Sequence, residues 1–414
     1  EVEGVRTDVR VVCLSLLNTE WYIKQLRDQW SHESAPLPIS LTDREVEEIT
    51  SSLSLYEPDT LQIPVNKDLL DSAFSGDETY KETIGVKPDM ETQLFKEGVD
   101  FGIPLDSLDS QVSWYYEGRS AGRDAEGNPR YYTQVQDDVI LDMLQTNRWL
   151  RPIYFANTVS TNSQLNLQNY FRFEGKAFRV VPQHHPEAGS FGWIDPEIHA
   201  SRLKKFRFRE WDNPDAYFDE NIRRMLGNYR YGITQLAETY RAIGQPDSAV
   251  KWLKWGEEKI PFKNKIGSLN SLVLYAYSYA QSGDTTNAIR LAELGTQKVM
   301  DDLTHHMERY DQLQGRVMQL DAAAKEARKN ANMSRQRNYR RQIQEVLARR
   351  EGMVREISFS LSHLTIVQRI YFMADRDEEA LQLADRVNSI TMDRIGIPAS
   401  EEENRKQVEQ FNLF

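Results

Sequence analysis

Residues 233–261 read ITQLAETYRAIGQPDSAVKWLKWGEEKIP, and residues 272–295 read LVLYAYSYAQSGDTTNAIRLAELG. Shifted by 39 residues, the two stretches align: Leu236 with Tyr275, Ala237 with Ala276, Tyr240 with Tyr279, Gly244 with Gly283, Ala249 with Ala288 and Leu253 with Ala292. The spacing has a physical reading. Small residues at 237 and 249 let two antiparallel helices approach closely, and Tyr240 fills the gap between them. Gly244 permits a tight turn, and Pro261 stops the second helix. A weaker third copy runs over 364–387, with Val367, Tyr371, Asp375, Ala380 and Ala384 at the matching positions.

This is the spacing of a tetratricopeptide repeat, so residues 215–414 are expected to form an all-α, tetratricopeptide-like domain. Between the second and third copies, roughly over 300–360, the stripe Leu303, Met307, Tyr310, Leu313, Val317 and Leu320 keeps helical periodicity. It predicts a long helical-hairpin insertion turning near Asn330-Ala331-Asn332. From Lys325 to Arg350 there are nine Lys or Arg against Glu326 and Glu345, a local charge of +7. Residues 40–110 carry 17 Asp or Glu against five Lys or Arg, a local −12.

Working outward to the N-terminus, residues 1–200 have a different texture. The run VRVVCLSLL ending at Leu17 reads as a buried strand, followed by a helix over Asn18–Trp30 with Trp21, Ile23, Leu26 and Trp30 on its apolar side. Thr42 and Glu45 stand in capping-box spacing at the start of a second helix. A strand is expected over 59–65, an irregular acidic stretch over 66–110, and a loop or hairpin over 122–134. An amphipathic helix follows over 133–149, then a buried strand over 151–159. Residues 170–183 read as strand, turn, strand around Glu174-Gly175. The expectation is therefore an α/β domain over 1–200, built on a mostly parallel or mixed sheet with helices on it. Residues 201–214 form a linker into the helical half.

Composition narrows the function classes. The chain has 414 residues and a net charge of −12, which disfavours general affinity for nucleic acid. The single Cys13 allows no intrachain disulfide and reads as a buried small apolar residue. No run of about 18 apolar residues is present to span a bilayer. His184-His185, with Glu187, Asp195 and His199 nearby, lacks a metal-ligand spacing and reads as a loop. The adjacent His305 and His306 diverge on a helix. Asp137-Asp138 sit at a helix start, where they serve the helix dipole, and Asp106 and Asp109 read as loop and cap residues. The glycines of 118–127 lack the strand–loop–helix context of a phosphate loop. No catalytic residue, metal ligand or cofactor is assigned. A self-contained enzyme would have to assemble its site from scattered residues such as Asp137, Glu174 and Arg151.

Two interaction surfaces remain. Tyr229, Tyr231, Trp252, Trp255 and Tyr277 either line a peptide groove on the helical array or simply pack between its helices. Arg335, Arg337, Arg340 and Arg341 on the basic hairpin form a solvated face, a contact with an anionic membrane surface, or a dock for a partner protein. RNA is the weakest reading of that hairpin, because Tyr339 is the only aromatic residue among the arginines.

The opening EVEGVRTDVRVVCLSLLNTEWYIKQL (1–26) resembles the segment that follows the multi-spanning region in a bacterial family of protein O-mannosyltransferase-like membrane glycosyltransferases (domain of unknown function 2723, glycosyltransferase family 117). Cys13 stands where that family usually has Asn. LRPIYFANTVS (150–160) and LQNYFRFEGKAFRVVP (167–182) are similar to its later part. The resemblance implies a region at the periplasmic face of the inner membrane, part of a longer membrane-anchored chain with a hydrophobic extension before Glu1. The parent enzyme would move sugar from a polyprenyl-phosphate carrier to a protein or glycan acceptor. Its acidic catalytic residue would lie outside this sequence, and this region would bind acceptor or partner. The alternative is a free-standing helical-repeat scaffold with no enzyme attached.

Overall fold

A computed structural model describes residues 9–32, 34–75, 101–189, 192–211, 213, 215–262 and 269–391. The chain divides into two compact units, Glu1–Lys205 and Phe206–Phe414.

The first unit opens differently from its sequence reading. Residues 9–13 are extended but pair with no strand among the described residues, and a short 3-10 helix follows at Leu16–Asn18. Val9, Val11 and Leu16 are exposed, and of this run only Leu17 is fully buried. Cys13 is likewise exposed, with its Sγ 3.2 Å from Ser15 Oγ. An apolar run without a neighbouring ladder has nothing to satisfy its backbone in a core, and it stays at the surface.

Helix α1 (Glu20–Asp28) buries Ile23 and Leu26, while Trp21 and Trp30 face outward. Helix α2 (Asp43–Ser51) carries the expected capping box: Thr42 Oγ1 accepts from Glu45 N, and Glu45 accepts from Thr42 N. Strands β1 (Ser54–Tyr56) and β2 (Asp59–Pro64) follow, then helix α3 (Lys67–Ser75), where the acidic stretch had been read as irregular. The rest of that stretch, 76–100, lies outside the described residues.

Strands β3 (Gln111–Tyr116), β4 (Arg119–Arg123) and β5 (Pro129–Thr133) lead to helix α4 (Val135–Asn147). Strands β6 (Tyr154–Ala156), β7 (Phe171–Glu174) and β8 (Ala177–Val180) lead to helix α5 (Pro196–Lys204). Three small sheets result, ordered β1-β5-β4, β2-β3 and β6-β8-β7, and every pair of named strands is antiparallel. The mostly parallel or mixed sheet is thus replaced by antiparallel hairpins. The reason is connection length. Parallel neighbours need a long crossover, whereas β4–β5 and β7–β8 are joined by short turns with positive φ at Gly127 and Gly175. The strand expected over 151–159 shrinks to β6, an edge strand burying only Phe155.

The second unit is helical throughout its described residues after Tyr217. Helices α6 (Glu220–Ala242) and α7 (Pro246–Lys259) form one antiparallel pair, and α8 (Leu269–Gln281) pairs with α9 (Thr285–Lys329). Helix α10 (Met333–Met373) runs back along α9 and pairs with α11 (Asp377–Thr391). Leu236, Ala237, Ala249, Leu253, Ala276, Ala288 and Ala292 are all buried at these pairings. Gly244 and Gly283 turn with φ of 76° and 86°, and Asp375 takes the same left-handed conformation at 56° in the third pair.

The stretch over 300–360 is not a separate element inserted between repeats. It is the outward extension of α9 and α10 themselves, 45 and 41 residues long. The chain has no Pro between Pro261 and Pro398, so nothing interrupts either helix. The turn falls at 330–332, as expected, with Ala331 in the left-handed region at φ 52°.

Candidate functional site

Three places concentrate polar or aromatic chemistry: two buried networks in the first unit and an aromatic cluster in the second.

The first network lies at the start of α4. Asp137, fully buried, accepts from Arg119 Nε at 2.8 Å and Nη2 at 3.0 Å, and from the Gln134 backbone N–H at 3.0 Å. It is the N3 residue of a capping box, so its charge is used at the helix start. Arg119 also donates to Ser163 Oγ, and the Gln136 backbone N–H donates to Asn18 Oδ1 at 3.3 Å. The Asn-Thr pair that opens α1 is therefore tied to a helix 118 residues later. Burial pushes the neighbouring Asp138 carboxyl up, opposed by a hydrogen bond from Thr133 and helped by the Asp137 charge. The Tyr56 and Tyr116 rings lie 5.3 Å apart, and neither hydroxyl meets a hydrogen-bond partner among the described residues. Burial and the Asp137 charge raise the Tyr116 phenol well above its usual value.

The second network centres on Glu174, at the end of β7. Arg172 donates to Glu174 Oε1 through Nε at 2.9 Å and Nη2 at 2.6 Å, and its Nη1 reaches the Phe101 carbonyl. Arg202 Nε and Tyr154 Oη donate to Glu174 Oε2 at 3.3 and 3.2 Å. Burial pushes the Glu174 carboxyl up, but the charges of Arg172, Arg179 and Arg202 outweigh it and hold the group below the usual carboxylate range. The Arg172 guanidinium lies over the Trp193 ring, which stacks on His185 at 4.0 Å. Gly192 has no alternative here, because a Cβ would sit 2.2 Å from the Phe171 carbonyl oxygen. His199, fully buried on α5, places Nδ1 3.1 Å from Gly175 N and 2.9 Å from Phe173 O, clasping the β7–β8 turn.

The sequence-nominated residues are thus dispersed. Asp137 and Glu174 belong to different networks, and Arg151 donates to the Pro36 carbonyl. Asp109 accepts from the His184 backbone N–H at 2.7 Å. Among the described residues, no group of three His, Cys, Asp or Glu side chains could hold a metal ion. Cys13 has its thiol drawn below the usual value by hydrogen bonds with Ser15 and with the Leu16 backbone.

The groove candidates are placed unevenly. Phe206, Phe208 and Trp211, within the stretch read as a linker, lie against them. Phe206 meets Tyr229 at 5.3 Å, Phe208 meets Trp255 at 5.8 Å, and Trp211 meets Tyr229 at 5.1 Å, all edge-to-face. Trp252 is buried against Trp255. The chain's own segment therefore already lies on Tyr229 and Trp255. Tyr231 and Tyr277 are half-buried on α6 and α8. Arg230, which the sequence does not single out, is buried, lies between Tyr229 and Tyr231 in the sequence, and caps α7, donating to the Ile260 and Pro261 carbonyls at 3.0 and 3.2 Å. Burial pushes its guanidinium down to about 10. Its only sequence signal was the nearby helix stop at Pro261.

Arg335, Arg337, Arg340 and Arg341 are all exposed near the start of α10, with Arg341 3.9 Å from Glu345.

The domain family TMEM260-associated domain 2, a family associated with a membrane protein, matches residues 1–98 and 129–198. The matched stretches contain Asn18, Asp137, Arg172, Glu174 and Arg179, so both buried networks lie largely within them. The helical unit lies outside the match. Comparison with curated proteins and with solved structures finds no match. Among the described residues, no helix is long and apolar enough to cross a membrane.

Proposed function

We propose that the chain is the extracytoplasmic region of a polytopic membrane glycosyltransferase that uses a polyprenyl-phosphate sugar donor. In this reading the region is non-catalytic alone and lies at the periplasmic face of the inner membrane. It belongs to the protein O-mannosyltransferase-like family that residues 1–26, 150–160 and 167–182 resemble. The observation that carries the reading is the coincidence of those three segments with the stretches matched by a membrane-protein-associated domain. The disposition of the acidic residues supports it: Asp137 and Glu174 are consumed by arginines and helix capping instead of facing an open cleft.

The second unit is then a tetratricopeptide-like array that holds an acceptor or partner protein. The buried small residues of the helix pairs and the left-handed turns at Gly244 and Gly283 support that assignment. An irregular aromatic segment, Phe206–Trp211, already lies on Tyr229 and Trp255. It is a chemical guide to the kind of peptide such a surface accepts.

The test is made in the source organism, with an antibody to this chain on membrane and cytosolic fractions. A membrane band far heavier than 48.2 kDa is expected. A band near 48.2 kDa in the soluble fraction would instead leave a helical-repeat scaffold without enzyme activity. The purified region is expected to transfer no sugar from a polyprenyl-phosphate donor, and clear turnover would overturn its non-catalytic role.

A further inference from the structure

The far end of the α9–α10 hairpin is a charged tip on a slender arm. On α9, fully buried residues run regularly from Ala288 to Met307, stop, and resume only at Leu320, Ala324 and Ala327. On α10 none is fully buried between Gln336 and Ile357. Two helices packed only on each other bury their seam halfway, as Tyr310, Leu313, Gln314 and Val317 are here. Residues 308–329 and 333–356 therefore form a two-helix arm about 33 Å long at 1.5 Å per residue. Arg350 Nη1 donates to Gln314 Oε1 at 2.5 Å across it, which fixes the antiparallel register.

The charge is not spread along this arm. Residues 325–341 hold Lys325, Arg328, Lys329, Arg335, Arg337, Arg340 and Arg341 against Glu326 alone, a charge of +6 in a chain of −12. All seven cations are exposed. Lys325 and Arg341 reach Asp321 and Glu345, both farther from the turn. Arg328, Lys329, Arg335, Arg337 and Arg340 take part in no ion pair among the described residues. On a helix of 3.6 residues per turn, positions 337, 340 and 341 fall within about 100° of one another, and position 335 falls about 120–140° away from that flank. What all four share is height, within about 12 Å of the turn. At the turn itself Met333 is exposed, between Asn332, which caps α10 through Arg335 N, and the arginines.

We infer that the tip of the α9–α10 arm docks end-on against an anionic lipid surface, with the seven cations among the headgroups and Met333 at the interface. A flat anionic surface is the partner that a crown of charge fits. Stacking on nucleic-acid bases would need more than Tyr339, the one aromatic residue among these cations. The apolar Met333 at the apex suits a boundary that is charged outside and apolar beneath. The inference does not depend on the glycosyltransferase reading.

The test is co-sedimentation of the 414-residue chain with phosphatidylcholine vesicles, with and without phosphatidylglycerol, at low and high salt. Binding is expected only with phosphatidylglycerol and is expected to fall as salt rises. Each cation near such a surface is worth about fivefold in affinity, so replacing Arg335, Arg337, Arg340 and Arg341 by Gln is expected to weaken binding at least about a hundredfold. Arg328→Gln with Lys329→Gln, on the other helix of the arm, is expected to cost about twenty-fivefold and serves if the fourfold variant loses helicity. Met333→Ser is expected to cost less and to leave the salt dependence unchanged. Equal binding to neutral vesicles overturns the inference. So does undiminished binding by folded Gln variants, or tighter association with duplex RNA than with the anionic vesicles.

Discussion

The two units hold themselves together by different means. In the first, short antiparallel hairpins are cross-tied by polar side chains reaching far along the chain. Asn18 meets the start of α4, Arg172 reaches the Phe101 carbonyl, and Tyr170 Oη donates to the Ser113 carbonyl at 3.1 Å. In the second, neighbours in sequence pair as helices, with Ala, Leu and Tyr side chains buried along them. One unit concentrates its specification in a few buried charges. The other distributes it over many small contacts. Breaking a buried pair leaves an uncompensated charge, whereas enlarging one small residue strains a local seam.

That contrast orders the expected effects of mutation. Glu174→Ala removes the carboxylate and leaves Arg172 buried, at a cost of about 3–5 kcal/mol. It should be seen as a large fall in the urea midpoint, and a loss below about 1 kcal/mol would mean the network is not what holds β7 and β8. Ala237→Trp or Ala288→Trp overpacks a helix pair by at least about 1–3 kcal/mol. An unchanged thermal midpoint would break the assignment of those pairs. Gly256→Ala tests the same seam more finely, since its Cβ would meet Tyr275 Oη at 2.3 Å while that hydroxyl donates to Leu253 O. Asn18→Ala, losing its tie to Gln136 N, is expected to cost about 1 kcal/mol. Last, Gln at Arg335, Arg337, Arg340 and Arg341 is expected to move stability by no more than about 0.5 kcal/mol, because these side chains are exposed.

Acid sharpens the comparison further. The Glu174 carboxyl is held below its usual range in the folded chain, so its ionised form favours folding. That contribution is complete above the unfolded carboxyl value of about 4.3 and is lost as pH falls through the lower folded value. Thermal midpoints are expected to drop on acidification below roughly pH 4, and Glu174→Gln should flatten that limb. Ala237→Trp should shift the whole profile without changing its shape.

The same contrast explains what the sequence discloses. The Thr42–Glu45 box, the Gly175 turn, the helix over 135–147 and the turn at 330–332 are local and were legible from their own residues. So was the helical character of the second half, from its periodicity. The buried strand ending at Leu17 was misread because composition reports apolarity and not whether a partner strand exists. Arg119 and Arg230 escaped notice, and His199 was read as part of a loop, because their partners lie 18, 30 and 26 residues away and follow no period. That Phe206–Trp211 lies against Tyr229 and Trp255 was not legible, since no pattern links an irregular segment to a helix face.

The continuity of α9 carries one mechanical consequence. The same unbroken helix packs against α8 at one end and ends in the basic tip at the other. A rod fixed at its base turns sideways motion at its free end into rotation at the fixed end. Over an arm of about 33 Å, a tilt of about 10° corresponds to roughly 6 Å at the tip. A load at the tip would therefore act on the α8–α9 pairing through the unbroken length of α9.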